Sequence, residues 1–201
     1  MRRRGIVLME NERWLDVGCG TNKICGAIGV DKMKLPEVDI VHDLDIYPWP
    51  FEDDSFDHIV CKHSLGHLQN FIRCMEELYR IGRSGAVIEI LAPHYASDNF
   101  NTDPTHKVAI GVRSLDYFIE GTKLRERYRY SPISFSLRER QISFREAKTD
   151  FRKKTKQNLF RMIGFETLVN AFPRLYERFF VYWLPPSEVY FKLVVLKEKS
   201  G

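Results

Sequence analysis

The sequence predicts an α/β fold, with a central, mostly parallel sheet and helices on both faces. Three observations lead there. Short, nearly continuous apolar runs recur at Trp14–Val17, Ala27–Val30, Val38–Val41, Phe56–Cys61 and Ala86–Leu91, as strands buried on both faces require. The first run breaks into Gly18-Cys19-Gly20, a tight glycine turn. Polar residues gather at or just past the ends of these runs, at Asp16, Asp31, Asp43, His63 and His94. Ligands of open parallel sheets bind beyond the carboxyl ends of the strands, so these residues mark a ligand-binding edge.

Each element has its own signal. Leu68 to Ile81 places Leu68, Phe71, Ile72, Met75, Leu78 and Tyr79 on one helical face, and Gly82 and Gly85 end that helix. Pro93 stops the fifth strand. Only 11 positions separate Gly20 from Asp31, so the first helix is abbreviated to a turn or so. Beyond Pro93, Ser114–Ile119 reads as a short helix capped by Ser114. Tyr128–Phe144 alternates in part and reads as a hairpin or one long bent strand. Asn158–Phe180 is helical in period, interrupted by Gly164 and Pro173, and Val189–Leu196 is a final strand. With no repeat and no low-complexity linker, residues 1–201 read as a single domain, a first half of about 1–92 and a second of about 93–201.

The chain has 201 residues, enough to bury a core without disulfides or metals. Its 14 Phe, 9 Tyr and 3 Trp argue against disorder. No apolar run approaches the ~18 residues of a transmembrane helix, and the basic start lacks the apolar region and cleavage site of a secretory signal. A cytoplasmic protein is expected, with Cys19, Cys25, Cys61 and Cys74 reduced, since they form no CxxC pair. The net charge of +4 hides a division. Residues 1–106 carry 11 Lys+Arg against 17 Asp+Glu, a sum of −6; residues 107–201 carry 20 against 10, a sum of +10. All six histidines lie between His42 and His106.

The glycine turn lets a backbone approach a ligand closely, and Asp31 at the next strand end suits a ribose diol. In order and spacing, these motifs resemble the class I S-adenosylmethionine-dependent methyltransferases over roughly residues 13–92. Leu15-Asp16-Val17-Gly18-Cys19-Gly20 is similar to their first motif, Gly29-Val30-Asp31 to their ribose-binding acid, and His42-Asp43-Leu44 to their adenine segment. Trp49 to Val60 resembles the approach to their fourth strand, and Arg80 to Leu91 the approach to their fifth. The resemblance implies a Rossmann-like methyltransferase fold and S-adenosylmethionine as cofactor. Gly18, Cys19 and Gly20 would lie against its methionine part and ribose, with Asp16 at the amino group. Asp31 would take the ribose, Asp43 and Leu44 the adenine, and His63 the methionine moiety. The third glycine position is Asn22, and the short connector lessens any helix-dipole contribution. A hydride-transferring dehydrogenase is disfavoured by the absence of G-x-G-x-x-G spacing.

Ala92 to Ser97 and Asp103-Pro104-Thr105-His106-Lys107 resemble the "PH…DPTH" loop of a methyltransferase subgroup, where it borders the acceptor pocket. His106 or His94, with Asp103 orienting one imidazole, is a candidate general base for a hydroxyl or amine acceptor. Asp103-Pro104-Thr105 is also an ordinary turn sequence. His63 and His67 have metal-compatible spacing that His94 and His106 could join, but no cysteine or HExxH context supports it and no metal is expected. The basic, aromatic segments Lys123–Tyr130 and Phe151–Lys156 have the makings of a phosphate- and base-binding patch, but Glu126, Glu139, Glu146 and Asp150 interrupt the charge and they read rather as solvated faces; a small or anionic acceptor is expected, with nucleic acid as the alternative. Outside catalysis, the alternative is a regulatory protein that binds the cofactor without turnover. The aromatic stretch from Phe172 to Trp183 reads as a core or homodimer face, with membrane contact open through nearby basic residues.

Overall fold

Strands that are apolar on both faces need partners on both edges and cover above and below. The computed structural model, which describes residues 12–144 and 164–197, resolves this as a seven-stranded sheet of order β3-β2-β1-β4-β5-β7-β6. The strands are β1 (Trp14–Val17), β2 (Ile28–Asp31), β3 (Ile40–Val41), β4 (Phe56–Lys62), β5 (Gly82–Pro93), β6 (Phe135–Ser143) and β7 (Glu188–Val195). β1 is buried throughout and pairs in parallel with β2 on one side and β4 on the other. β5 continues the parallel set, and β7 runs antiparallel to both β5 and β6.

The helix α1 (Phe71–Ile81) covers one face. Asn70 caps it by accepting from the Arg73 amide at 3.0 Å. Its Cys74, Met75, Leu78 and Ile81 join Leu15, Val17, Ile59, Cys61, Ile88 and Ile90 in one core, each large side chain worth roughly 1.5–3 kcal/mol of burial. Buried residues of α4 (Phe165–Ala171) and α5 (Pro173–Phe179), Val169 and Tyr176, belong to the same core. A smaller cluster of Trp14, Ile24, Ala27 and Val60 covers part of the opposite face, where Trp14 stacks on His58 at 4.0 Å.

Two segments differ from the sequence expectation. The shortening after β1 goes further than one helical turn: the described connector holds only turns. Ser114–Ile119 is a run of turns and not a helix, because the Ser114 hydroxyl accepts from the Gly111 amide behind it rather than capping forward. The basic segment after Thr122 forms the helices' missing member α3 (Lys123–Tyr128), and the partial alternation before Phe144 becomes β6, one strand with an irregularity between Leu137 and Glu139. A five-residue helix, α2 (Asp98–Thr102), follows β5. Phe151–Lys156 and residues 158–163 lie outside the described residues. Among those described, no helix is long and apolar enough to cross a membrane.

The loop before β4 is held by one buried carboxylate. Glu77 accepts from the Trp49 amide at 2.7 Å and from Arg80 at 2.9 and 2.7 Å, while Arg80 reaches Phe51 O, Trp49 O and Asp53. Glu77→Ala leaves the buried Trp49 amide without its acceptor and takes from Arg80 two of its bonds, those to Asp53, Phe51 O and Trp49 O remaining. A destabilisation of about 1–3 kcal/mol is expected, read as a lower urea midpoint.

Candidate active site

The carboxyl ends of β1, β2 and β4 are laced together. Gly18 has φ +70°, and a Cβ there would lie 2.4 Å from the Ser64 Cβ, so only glycine fits this approach. The Gly18 and Cys19 amides donate to Val30 O at 2.8 and 3.2 Å. Asp31 accepts from the Gly20 amide at 3.0 Å through Oδ2 and from the Met33 amide at 2.9 Å through Oδ1. Asp16 is buried and accepts from the Ile24 amide at 2.8 Å. Burial pushes its carboxyl above the usual range despite that bond. Burial, with Asp16 and Asp31 adding, pushes the Cys19 thiol up to about 11.

The next candidates flank this unit. β3 pairs with β2, and the His42 amide donates to Asp31 O at 2.9 Å, bringing the following Asp43 to the same edge. Asp43 is exposed and accepts from the Asp45 amide at 3.0 Å. Leu44 is a core residue whose carbonyl accepts from the Trp49 indole at 3.0 Å. His63, at φ +53°, sits with Nε2 3.2 Å from the buried Glu188 of β7.

The loop after β5 separates the two candidate bases. His94 is fully buried. Its Nδ1 accepts from the Ala96 amide at 3.2 Å, so Nε2 carries the proton and donates to Glu177 at 3.0 Å. Both nitrogens are thus spent on anchoring the loop. Asp103 accepts from the Thr105 amide and hydroxyl at 2.9 and 2.6 Å, and these bonds hold its carboxyl below the usual range, the hydroxyl foremost. The single Thr105 hydroxyl proton is used there, so its oxygen accepts from His67 Nδ1 at 2.9 Å. His106 Nδ1 donates to Phe100 O at 3.1 Å. Asp103 therefore orients His67 through Thr105, and it is Phe100 that orients His106.

Those bonds leave Nε2 of both His67 and His106 with a lone pair. The two rings stack at 4.5 Å, and Phe100 continues the stack beyond His106 at 5.4 Å. Burial first, then the neighbouring His106, holds the His67 pKa below the ordinary histidine value. The stack is fastened to the 3-10 turn Leu65–His67, which follows Ser64. The Lys107 and Val108 amides donate to Gly66 O at 2.7 and 3.1 Å, and a Cβ at Gly66 would lie 3.0 Å from His106 Cδ2. His67 and Thr105 as proton-handling partners carry no local sequence signal, being 38 residues apart.

Ligand atoms of His67, Asp103 and His106 lie within 4.8 Å of one another. The two rings are only 20° from parallel, so their in-plane lone pairs run side by side instead of converging as a metal requires. His63 and His94, the other histidines with metal-compatible spacing, are held apart by Glu188 and Glu177.

A methyltransferase-domain family model matches residues 3–126. The chain belongs to that family. It is a class I, S-adenosylmethionine-dependent methyltransferase. Two solved structures of S-adenosylmethionine-dependent methyltransferases are similar to it in fold. That from Archaeoglobus fulgidus has TM-score 0.53 and 22% identity, covering 91% of this chain and 86% of its own. That from Mesorhizobium loti has TM-score 0.51 and 14% identity, covering 91% and 90%. No curated protein matches the sequence. The strand-end residues of this methyltransferase fit the cofactor. The Ser64 hydroxyl beside Gly18 is buried without a partner, and the Asp31 carboxylate accepts one amide per oxygen, leaving lone pairs for a diol.

The raised Asp16 pKa has a sign. Its stabilising contribution is complete below the unfolded value of 3.8 and is lost as pH rises through the folded value. Asp16→Asn, which keeps an acceptor for the Ile24 amide, is expected to gain in stability over the parent as pH rises from about 4 to 7. Urea midpoints across that range check it.

Proposed function

We propose that this methyltransferase methylates an oxygen or nitrogen atom of a small or anionic acceptor, working as one domain. Residues up to about 92 hold the cofactor, and those beyond meet the acceptor. Bound S-adenosylmethionine supplies an electrophilic methyl on a sulfonium that is already a good leaving group. Asp31 takes the ribose hydroxyls, Asp16 the amino group, and the Gly18–Gly20 turn gives room for the ligand. Asp43 and Leu44 border the adenine, and His63 flanks the methionine end. The protein's main task is then to align the acceptor with the methyl and to exclude water. The four free cysteines fit a reducing compartment such as the cytoplasm.

One observation carries the catalytic part: two stacked imidazoles are packed on the turn after β4, next to the Gly18–Ser64 contact, and the Nδ1 bond of His106 to Phe100 O leaves its Nε2 as an acceptor. His106 Nε2 takes the proton of a hydroxyl or ammonium acceptor. His67, 4.5 Å away, stays neutral, because two cations at that distance repel. Asp103 keeps His67 in the Nδ1–H form through Thr105. His94 anchors the loop and does not touch the acceptor.

His106→Ala is expected to lower kcat by about 10²–10⁴-fold and leave S-adenosylmethionine affinity unchanged. Asp31→Ala should weaken that affinity by about tenfold or more. Calorimetry and a labelled-methyl assay separate the two, and equal loss of affinity in both variants contradicts the assignment. In fractionated cell extract, label should enter the small-molecule or lipid fraction; label confined to RNA would select the nucleic-acid alternative.

A further inference from the structure

We propose that the outer face of α5 and the turn after it dock on an anionic phospholipid surface, with one phosphate headgroup entering an arginine-lined cavity beside it. The inference concerns a surface apart from the proton-handling histidines and stands independently of the acceptor's identity.

Within residues 172–183 only Tyr176 and Val181 join the core. Phe172, Leu175, Phe179, Phe180, Tyr182 and Trp183 are exposed, from 53% for Leu175 to 89% for Trp183. Exposed apolar surface on this scale marks an interaction site. The inward side of α5 is used up: Tyr176 is buried and donates to Leu184 O, and Glu177 accepts from His94 and from the Val112 amide. The helix's one acid is therefore committed inside. What remains outside is aromatic or aliphatic, with Arg174 and Arg178, and neither arginine is paired with a carboxylate among the described residues. The Arg178 guanidinium lies 5.4 Å from the Phe179 ring centroid.

Behind this face is a cavity of about 470 Å³. Arg113, Arg174 and Arg178 line it together with Tyr95, Leu175 and Phe179, and with Glu177, whose Oε1 is engaged by His94 and the Val112 amide. Arg113 is shared with Asp116 at 3.3 Å and stays 41% exposed at its side chain. Three guanidinium groups beside an apolar wall call for an anion carried on hydrocarbon, which is the chemistry of a phospholipid. Arginine binds phosphate bidentately, and Trp and Tyr prefer the headgroup level of a bilayer.

A second copy of the chain is a poorer occupant. A two-fold contact would bury Arg174 and Arg178 of both copies in one interface, with no acid on the outer side of α5 to pair with them. Tyr95 connects the surface to the loop beside the stacked histidines: it lines the cavity, contacts the Tyr182 ring at 6.5 Å and lies against His94 at 4.3 Å.

The test is co-sedimentation of the full chain with vesicles of phosphatidylcholine alone and of phosphatidylcholine with equimolar phosphatidylglycerol. Binding to the mixed vesicles only, weakened by salt, is expected. The double variant Arg174→Ala/Arg178→Ala should lose about tenfold or more of it. Phe179→Ala/Trp183→Ala should lose a comparable amount with no change of charge. Equal binding to both vesicles, no binding to either, binding of inorganic phosphate alone, or a dimer dissolved by Phe179→Ala/Trp183→Ala without vesicle binding each overturns the proposal. Calorimetry with S-adenosylmethionine on the same preparation reports the cofactor site separately, so loss of vesicle binding with that affinity intact sinks only the membrane inference.

Discussion

The Ile24 amide donating to the buried Asp16 carboxylate is the contact on which the carboxyl edge of β1 and β2 depends. A parallel crossover ordinarily fills the space between two strands with a helix, whose amides satisfy one another. Here the path from Gly18 to Ala27 holds only turns, and its amides need acceptors from elsewhere. Val30 O takes two of them, Asp31 takes that of Gly20, and Asp16 takes that of Ile24. The same bond seats Ile24 in the small cluster with Trp14, Ala27 and Val60. Asp16 thus fixes the connector, the cover of that face and the entrance to the glycine turn, at the cost of holding a carboxyl where water is excluded.

Glu177 plays the corresponding part in the second half. One carboxylate oxygen takes the His94 imidazole and the Val112 amide, joining α5 to the loop that follows β5. Because Glu177 is consumed inward, the outward side of its helix becomes cationic and apolar. The burial that orders the acceptor loop and the charge of the exposed face therefore have one cause. At the edge of the sheet, Asn170 of α4 bonds both the amide and the carbonyl of Ile142, at 2.6 and 2.9 Å, and Phe135 is bridged to Ile119, so both ends of the edge strand β6 are met.

The first half was legible because its strands are buried on both faces, so that Trp14–Val17 or Phe56–Cys61 stand out as apolar runs without any alternation to interpret. The glycine turn and Asp31 are local signals of backbone conformation and charge. The acceptor side depends on contacts far apart in the chain. His94 reads as an available base until Glu177, 83 residues on, is seen against it. Asp103 reads as the partner of its near neighbour His106, whereas the hydroxyl of Thr105 turns it toward His67. The helical stretch to Phe180 was visible in its period, but the period alone does not say which side faces solvent. Only the commitments of Tyr176 and Glu177 settle that.

Strand order also gives the uneven charge of the chain a direction. β3, β2 and β1 fill one side of the sheet, β5, β7 and β6 the other, and β4 is the middle strand. Asp16, Asp31 and Asp43 stand at or just past the ends of the first three. Arg113, Arg174 and Arg178 gather on the other side, where α5 locks onto the loop after β5. Neighbouring strands are about 4.8 Å apart, so the two sets of charges are separated by more than a Debye length at physiological salt, ~8 Å. Each side can therefore attract its own ligand without cancelling the other. The turn after β4, with His67 and the docked His106, lies between them.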